Sequence, residues 1–173
     1  MQAIVRHEVD KALDIKKLRT IVPPYCSVRK YDTLKGKTLK DVMGRYSVLI
    51  ILWNLHDKKH RTLNEPGHFF VLSTRGPEDV VCFSSTGMSP KKELFVTQSD
   101  PTVFDRILPA NVTINHKRLQ LNGSSNTCWR WCLLFAHFAP MGLKKFQQLF
   151  WRPNLHLTNS DDVATVLTLM SLY

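Results

Sequence analysis

The period of the sequence changes at residue 47, and the segment that starts there constrains the fold more than any other. Ser47, Val48, Leu49, Ile50, Ile51, Leu52, Trp53 and Asn54 make an almost unbroken apolar run of mostly branched side chains. A short run of this kind predicts a buried central strand. Upstream, Val5, Val9, Ala12, Leu13, Leu18 and Ile21 recur at three- and four-residue steps, which predicts one or two amphipathic helices within residues 2–22, ended by Pro23 and Pro24. Residues 25–46 lack a clear period and read as loops, with one short helix over 38–43.

Downstream, residues 68–74 and 79–84 predict an antiparallel hairpin, because Arg75, Gly76, Pro77 and Glu78 have turn composition. A polar, basic loop over 56–67 delivers the chain to His68. Further short strands are expected at 93–97 and 112–115. Helical spacing returns with Cys128, Trp131, Cys132, Phe135, Phe138 and Ala139 on one face, and Pro140 and Gly142 end that element. Ser125, Asn126 and Thr127 supply N-cap chemistry ahead of it. Leu143, Phe146 and Phe150 predict a second helix, and Ser160, Asp161 and Asp162 start a last one. Helix, sheet and helices in that order give an α+β fold: a central, mostly antiparallel sheet flanked by helices. The 173 residues fit a single domain. Its parts are a basic helical and loop segment (1–46), a sheet region with His68 (47–115) and a helical part with Cys128 (116–173).

Net charge is +10, and it is concentrated near the N-terminus: residues 1–62 hold 14 Lys and Arg against 6 Asp and Glu, and residues 63–173 hold 10 against 8. A basic surface attracts polyanions through phosphate neutralisation, so nucleic acid is an expected partner of the N-terminal third, with a merely solvated surface as the alternative. No segment reaches the ~18 uninterrupted apolar residues of a membrane span, and no secretory signal is evident. The expectation is therefore an intracellular protein with no membrane partner, its four cysteines reduced thiols. Cys128, Cys132 and His137 lack the paired spacing of a structural zinc site.

Cys128 lies at the first turn of a predicted helix, where the positive end of the helix dipole favours thiolate. A nucleophilic thiol needs a base within hydrogen-bond reach, and imidazole is the usual partner. Among seven histidines, His7, His56, His60 and His116 lie in charged segments, and His137 and His156 read as structural. His68 opens a strand directly after Pro66 and Gly67, where a side chain can project from a sheet edge into a cleft. Cys132, one turn beyond Cys128, reads as core.

Gly67-His68-Phe69, then Phe83-Ser84-Ser85-Thr86-Gly87-Met88-Ser89-Pro90, then Leu119-Gln120, then Ser125-Asn126-Thr127-Cys128 followed by Cys132, together resemble the adenovirus protease (adenain) family of viral and transposon cysteine proteases, which shares a clan with the SUMO-specific proteases. The match spans residues 67–138. The resemblance implies a papain-like, adenain-like fold and a thiol endopeptidase, expected to act as a monomer on polyprotein or capsid precursors during virion maturation, in host cytoplasm or nucleus or packaged in the particle. It implies Cys128 as nucleophile, His68 as base, and Gln120 with the Cys128 amide as oxyanion donors. No cofactor is implied beyond nucleic acid or a peptide as activator.

The chain departs from the family at three positions. Ser84 stands where the family has an acid, leaving Ser84, Asp79 and Glu78 as the residues that could orient His68. Trp129 replaces the Gly after the nucleophile, with bulk to crowd the cleft or fill a specificity subsite. Phe69 stands where Trp is common. These departures leave open a second reading: a catalytically silent relative serving as a nucleic-acid- or capsid-binding structural or packaging factor.

Overall fold

The computed structural model describes residues 15–54, 67–76, 79–96, 100–120, 127–150 and 160–170. Residues 2–14 of the expected N-terminal helices, the loop at 56–67 up to Pro66, Glu78, Ser125 and Asn126 lie outside the described residues, as do His7, His56, His60 and His156.

The predicted buried strand is β2 (Val48–Asn54), and the predicted hairpin is β3 (Gly67–Gly76) with β4 (Asp79–Phe83). Two more strands join them: β1 (Cys26–Lys30), where loop was expected, and the short β5 (Thr113–Ile114). The order across the sheet is β1-β2-β3-β4-β5. The inner pairs β2/β3 and β3/β4 are antiparallel, but β1/β2 and β4/β5 are parallel. The sheet is thus mixed rather than mostly antiparallel. Parallel neighbours cannot be joined by a tight hairpin and need a crossover. One crossover carries a 3-10 turn (Tyr31–Leu34) and α2 (Leu39–Met43), the other α3 (Pro90–Val96) and α4 (Thr102–Ile107).

β1 escaped prediction because it has only five residues and ends in Arg29 and Lys30, the charge that edge strands commonly carry. Arg19, on α1 (Ile15–Ile21), donates from Nε and Nη2 to the Val28 carbonyl at 3.3 and 3.2 Å, satisfying a backbone acceptor of that edge. The helix expected at 38–43 forms with a capping box. The Asp41 amide donates to Thr38 Oγ1, and the Thr38 amide donates to Asp41 Oδ2 at 2.9 Å.

Alternation along the strands divides the core in two. Leu49, Ile51, Trp53, Phe70 and Leu72 face one way and pack with both crossovers through Leu34, Val42, Leu94 and Phe104. Val48, Ile50, Phe69, Val71 and Phe83 face the other way, under α1, α5 (Cys128–Phe138), α6 (Leu143–Phe150) and α7 (Ser160–Met170). Phe83 stacks on Phe135 of α5 at 4.5 Å and meets Phe146 of α6 edge-on at 5.4 Å. Each buried Leu or Phe contributes roughly 1.5–3 kcal/mol. Among the described residues, no helix is long and apolar enough to cross a membrane.

The segment expected as a strand at 93–97 is instead helix α3 as far as Val96. Ser89 caps it, its Oγ accepting the Lys92 amide at 3.3 Å, and Pro90 occupies the first helical position with its fixed φ and no N–H to lose. Leu94 is buried while its neighbour Phe95 is 82% exposed. The apolar run Leu94-Phe95-Val96 mimicked a strand without being one.

Candidate active site

Strand alternation places His68 on the same face of β3 as Phe70 and Leu72. It likewise places Ser84, one residue past the end of β4, on the face of Cys82. Both therefore look towards the crossover layer, from neighbouring strands at one end of the sheet. His68 Nε2 lies 3.1 Å from Ser84 Oγ. It lies 3.0 Å from Oε2 of Glu93, which α3 carries into the same space. Ser84 in turn donates to Glu93 Oε1 at 2.7 Å, and the Thr86 hydroxyl donates to the same oxygen. The Ser84 and Thr86 hydroxyls are 2.9 Å apart. Glu93 is only 4% exposed; two hydroxyl donors on Oε1 and the imidazole beside Oε2 offset the cost of burying it.

Cys128 reaches the imidazole from the opposite layer. It is the first residue of α5, which packs on β2 and β3 across the other face of the sheet, and its thiol shares a hydrogen bond with the His68 side chain. Nε2 is engaged by Ser84 and Glu93. The ring of Phe70 meets His68 edge-on at 5.2 Å and that of Trp53 at 6.4 Å, which walls the imidazole in. Its side chain is 15% exposed, enough to line a cleft. Burial opposes a charged imidazole here, but hydrogen bonds to Cys128 and Glu93, and the charges of both, outweigh it and lift His68 from 6.5 to about 10. The arrangement favours a proton on the His68 ring.

The sequence matches no protein-family model and no curated protein. Among solved structures it is similar to the central domain of the Lpg1148 protein of Legionella pneumophila, with a TM-score of 0.47 and 16% identity over 94% of each chain. It is also similar to the SUMO protease Ulp1, solved with its catalytic cysteine oxidised to a sulfinic acid; the TM-score is 0.42 and the identity 7%, over 94% of this chain and 80% of that one. A third is the effector protein Cdu1 of Chlamydia trachomatis, solved bound to ubiquitin, with a TM-score of 0.42 and 17% identity over 98% of this chain and 77% of that one. At these values the likenesses carry no weight for the chemistry, which rests on the atoms of the site itself.

The other expected residues fall into place unevenly. Gln120 is buried, and its side-chain carbonyl accepts the Ser85 hydroxyl at 2.8 Å. Asp79 does not approach His68. It is exposed and pairs with Gly76 at the far end of the hairpin, since antiparallel strands bring the start of β3 beside the end of β4, not its beginning. Trp129 is buried in the core beneath Arg130, whose guanidinium lies 4.2 Å from the ring centroid.

Thr127 is the residue before α5, but its hydroxyl caps no amide. It donates instead to Asp161 Oδ1 at 2.8 Å, an oxygen that also accepts Trp131 Nε1 at 3.1 Å. Cys132 is core, its thiol donating to the Phe69 carbonyl at 3.3 Å. Burial raises the Cys26 thiol to about 12 and holds Cys82 and Cys132 higher than an ordinary thiol. His116 and His137 are exposed.

Sequence reasoning missed Glu93. Two signals pointed to it: Ser89-Pro90 is a helix start, and Glu93 is the sole acidic residue between Asp79 and Asp100.

Proposed function

We propose that the chain is a cysteine peptidase in which Cys128 is the nucleophile, His68 the general base and acid, and Glu93, relayed by Ser84 and Thr86, the acid that orients and charges the imidazole. The observation that carries the reading is the continuous path from the Cys128 thiol through His68 to the buried Glu93 carboxylate. It answers the difficulty posed by Ser84. The family's acid position holds a hydroxyl here, but a carboxylate one turn into the next helix stands directly behind it.

In the proposed reaction the Cys128 thiolate attacks a peptide carbonyl, forming a C–S bond while the carbonyl π electrons move onto oxygen. Collapse of that intermediate breaks the C–N bond, and the His68 imidazolium gives its proton to the departing amine. Water then attacks the thioester, passing a proton to His68, and collapse breaks the C–S bond, so that the acid product leaves as the Cys128 thiolate re-forms beside the His68 imidazolium. Gln120 and the Cys128 amide would donate to the oxyanion. Glu93 keeps Nε2 as the donor towards itself and so leaves Nδ1 to exchange protons with sulfur and leaving group.

Motif order along residues 67–138 supports a finer reading within this class, an adenain-like endopeptidase with a papain-like fold that matures viral or element-encoded polyproteins. Nucleic acid is proposed as a partner on the strength of a cleft of about 560 Å³ beside β1, lined by Arg19, Arg29 and Lys30. If phosphates are met there, Arg29→Ala with Lys30→Ala flattens the salt dependence of duplex DNA binding by a slope of about 0.9 for each phosphate no longer neutralised.

Alkylation by a peptidyl chloromethyl ketone tests the peptidase reading. Selective modification of Cys128, lost in His68→Ala, is the expected result. Labelling of the native protein no faster than of the denatured chain would sink it and favour a silent structural relative.

A further inference from the structure

The turn after β4 carries two serines in succession, and they point to different parts of the site. Ser84 touches His68 and Glu93. Ser85 is fully buried and holds Gln120 twice: its hydroxyl donates to Gln120 Oε1 at 2.8 Å, and its carbonyl accepts the Gln120 amide at 3.0 Å, as well as the Leu119 amide at 2.9 Å. The platform beneath is close-fitting. Gly87, with φ of 73°, lies against the chain at 116–118, where an added Cβ would sit 2.7 Å from the Arg118 nitrogen. Asn115 donates from Nδ2 to the Ser84 carbonyl at 2.7 Å and is itself held by Gln147 at 2.7 Å.

We propose that Ser85 is a positioning residue for the oxyanion site. By taking the Gln120 amide oxygen, it fixes the rotation of the amide and turns the N–H donors away from the 84–87 turn, towards the position where charge develops on a substrate oxygen. Without the Ser85 hydroxyl nothing in the 84–87 turn would select the amide oxygen over its nitrogen, and an oxygen turned towards the oxyanion would repel it. Ser84 and Ser85 thus align the base and the oxyanion donor from one rigid turn. The proposal rests on the reading of Cys128 as nucleophile and Gln120 as its oxyanion donor.

Two reactions of the same thiol separate this role from a merely structural one. Alkylation by iodoacetamide uses Cys128 and His68 but develops no oxyanion; hydrolysis of N-acetylglycine p-nitrophenyl ester uses both and does. Ser85→Ala is expected to lower kcat/KM for the ester by about tenfold, and Gln120→Ala by about 10²-fold, the lower end of the cost of losing one oxyanion donor. Both variants should leave the alkylation rate within about twofold of wild type, a bound set by the absence of that donor from the alkylation step. The double variant should be no slower than Gln120→Ala alone, because Ser85 acts only through Gln120. Ester hydrolysis at the wild-type rate in Ser85→Ala, equal losses in both reactions, or additive losses in the double variant would each overturn the role of Ser85 and leave the nucleophile standing. A wild type that neither hydrolyses the ester nor alkylates faster than its denatured chain removes the nucleophile, and this proposal with it.

Discussion

Helices α5 and α3 each deliver one group to His68, and they do so from opposite faces of the sheet. α5 is eleven residues long with nine of them buried, so Cys128 is held by a core that would have to come apart before the thiol could move. α3 is seven residues long, anchored by Leu94 and exposing Phe95. Its Glu93 is kept in place less by the helix than by Ser84, Thr86 and the imidazole. One arm of the site is therefore built by packing and the other by hydrogen bonds. His68 joins them because it lies at the end of the strand between the two layers.

Variants in the polar arm should break this division most visibly. Glu93→Gln keeps the shape and can still accept from Ser84 and Thr86, but it removes the charge that supports the imidazolium. By analogy with loss of the carboxylate from a serine-protease triad, ester hydrolysis should fall by about 10²–10⁴-fold with little change in Tm. A fall of less than about threefold, far below that range, would mean that Glu93 only fills space. Moving the charge should recover part of the loss. Ser84→Asp in the Glu93→Gln background puts a carboxylate beside Nε2, and its kcat/KM should exceed that of Glu93→Gln by about tenfold or more, part of the charge's full contribution. Ser84→Asp alone sets two buried carboxylates together and should lower Tm through their repulsion. A double variant as slow as Glu93→Gln would show that the carboxylate must come from α3.

The packing arm is tested through stability. Leu94→Ala opens a cavity under α3 at a cost of about 2–5 kcal/mol, lowering Tm by roughly 5–15 °C. Because it frees the helix that carries Glu93, ester hydrolysis should fall by about tenfold as well. Cys132→Ala gives the smallest effect, a loss of about 1 kcal/mol seen in denaturant melts, with Cys128 alkylation unchanged. Slower alkylation in that variant would contradict its place in the core.

The packed arm was also the legible one. Residues 47–54 and the face shared by Cys128, Trp131, Cys132 and Phe135 announced β2 and α5 because burial writes itself into hydrophobic period. β1 was hidden by its length and its charged end. α3 was hidden because its apolar residues are contiguous, and a three-residue run has no period to read. The pairing of Cys128 with His68 was legible from residue type and position. Glu93 was not, since nothing local says that the helix after β4 folds back over the end of β3. Thr127 offered a cap and gave its hydroxyl to Asp161, a partner 34 residues away that only the tertiary fold supplies.

The charge on His68 decides between this account and a silent fold. Burial lowers its affinity for a proton, and Cys128 and Glu93 raise it by more, so the ring should hold its proton from 6.5 up to about 10. A group raised on folding stabilises the protein fully below its unfolded value and loses that contribution as pH rises through the folded one. The Tm advantage of wild type over Glu93→Gln should therefore narrow across that window as pH increases. An NMR titration of ¹⁵N-histidine-labelled protein reads the ring directly, with the signal missing in His68→Ala giving the assignment. The account predicts that His68 stays protonated well past pH 8, on the way to about 10, and titrates at lower pH in both Glu93→Gln and Cys128→Ala. A wild-type ring that titrates near 6.5, unmoved by either substitution, would contradict it.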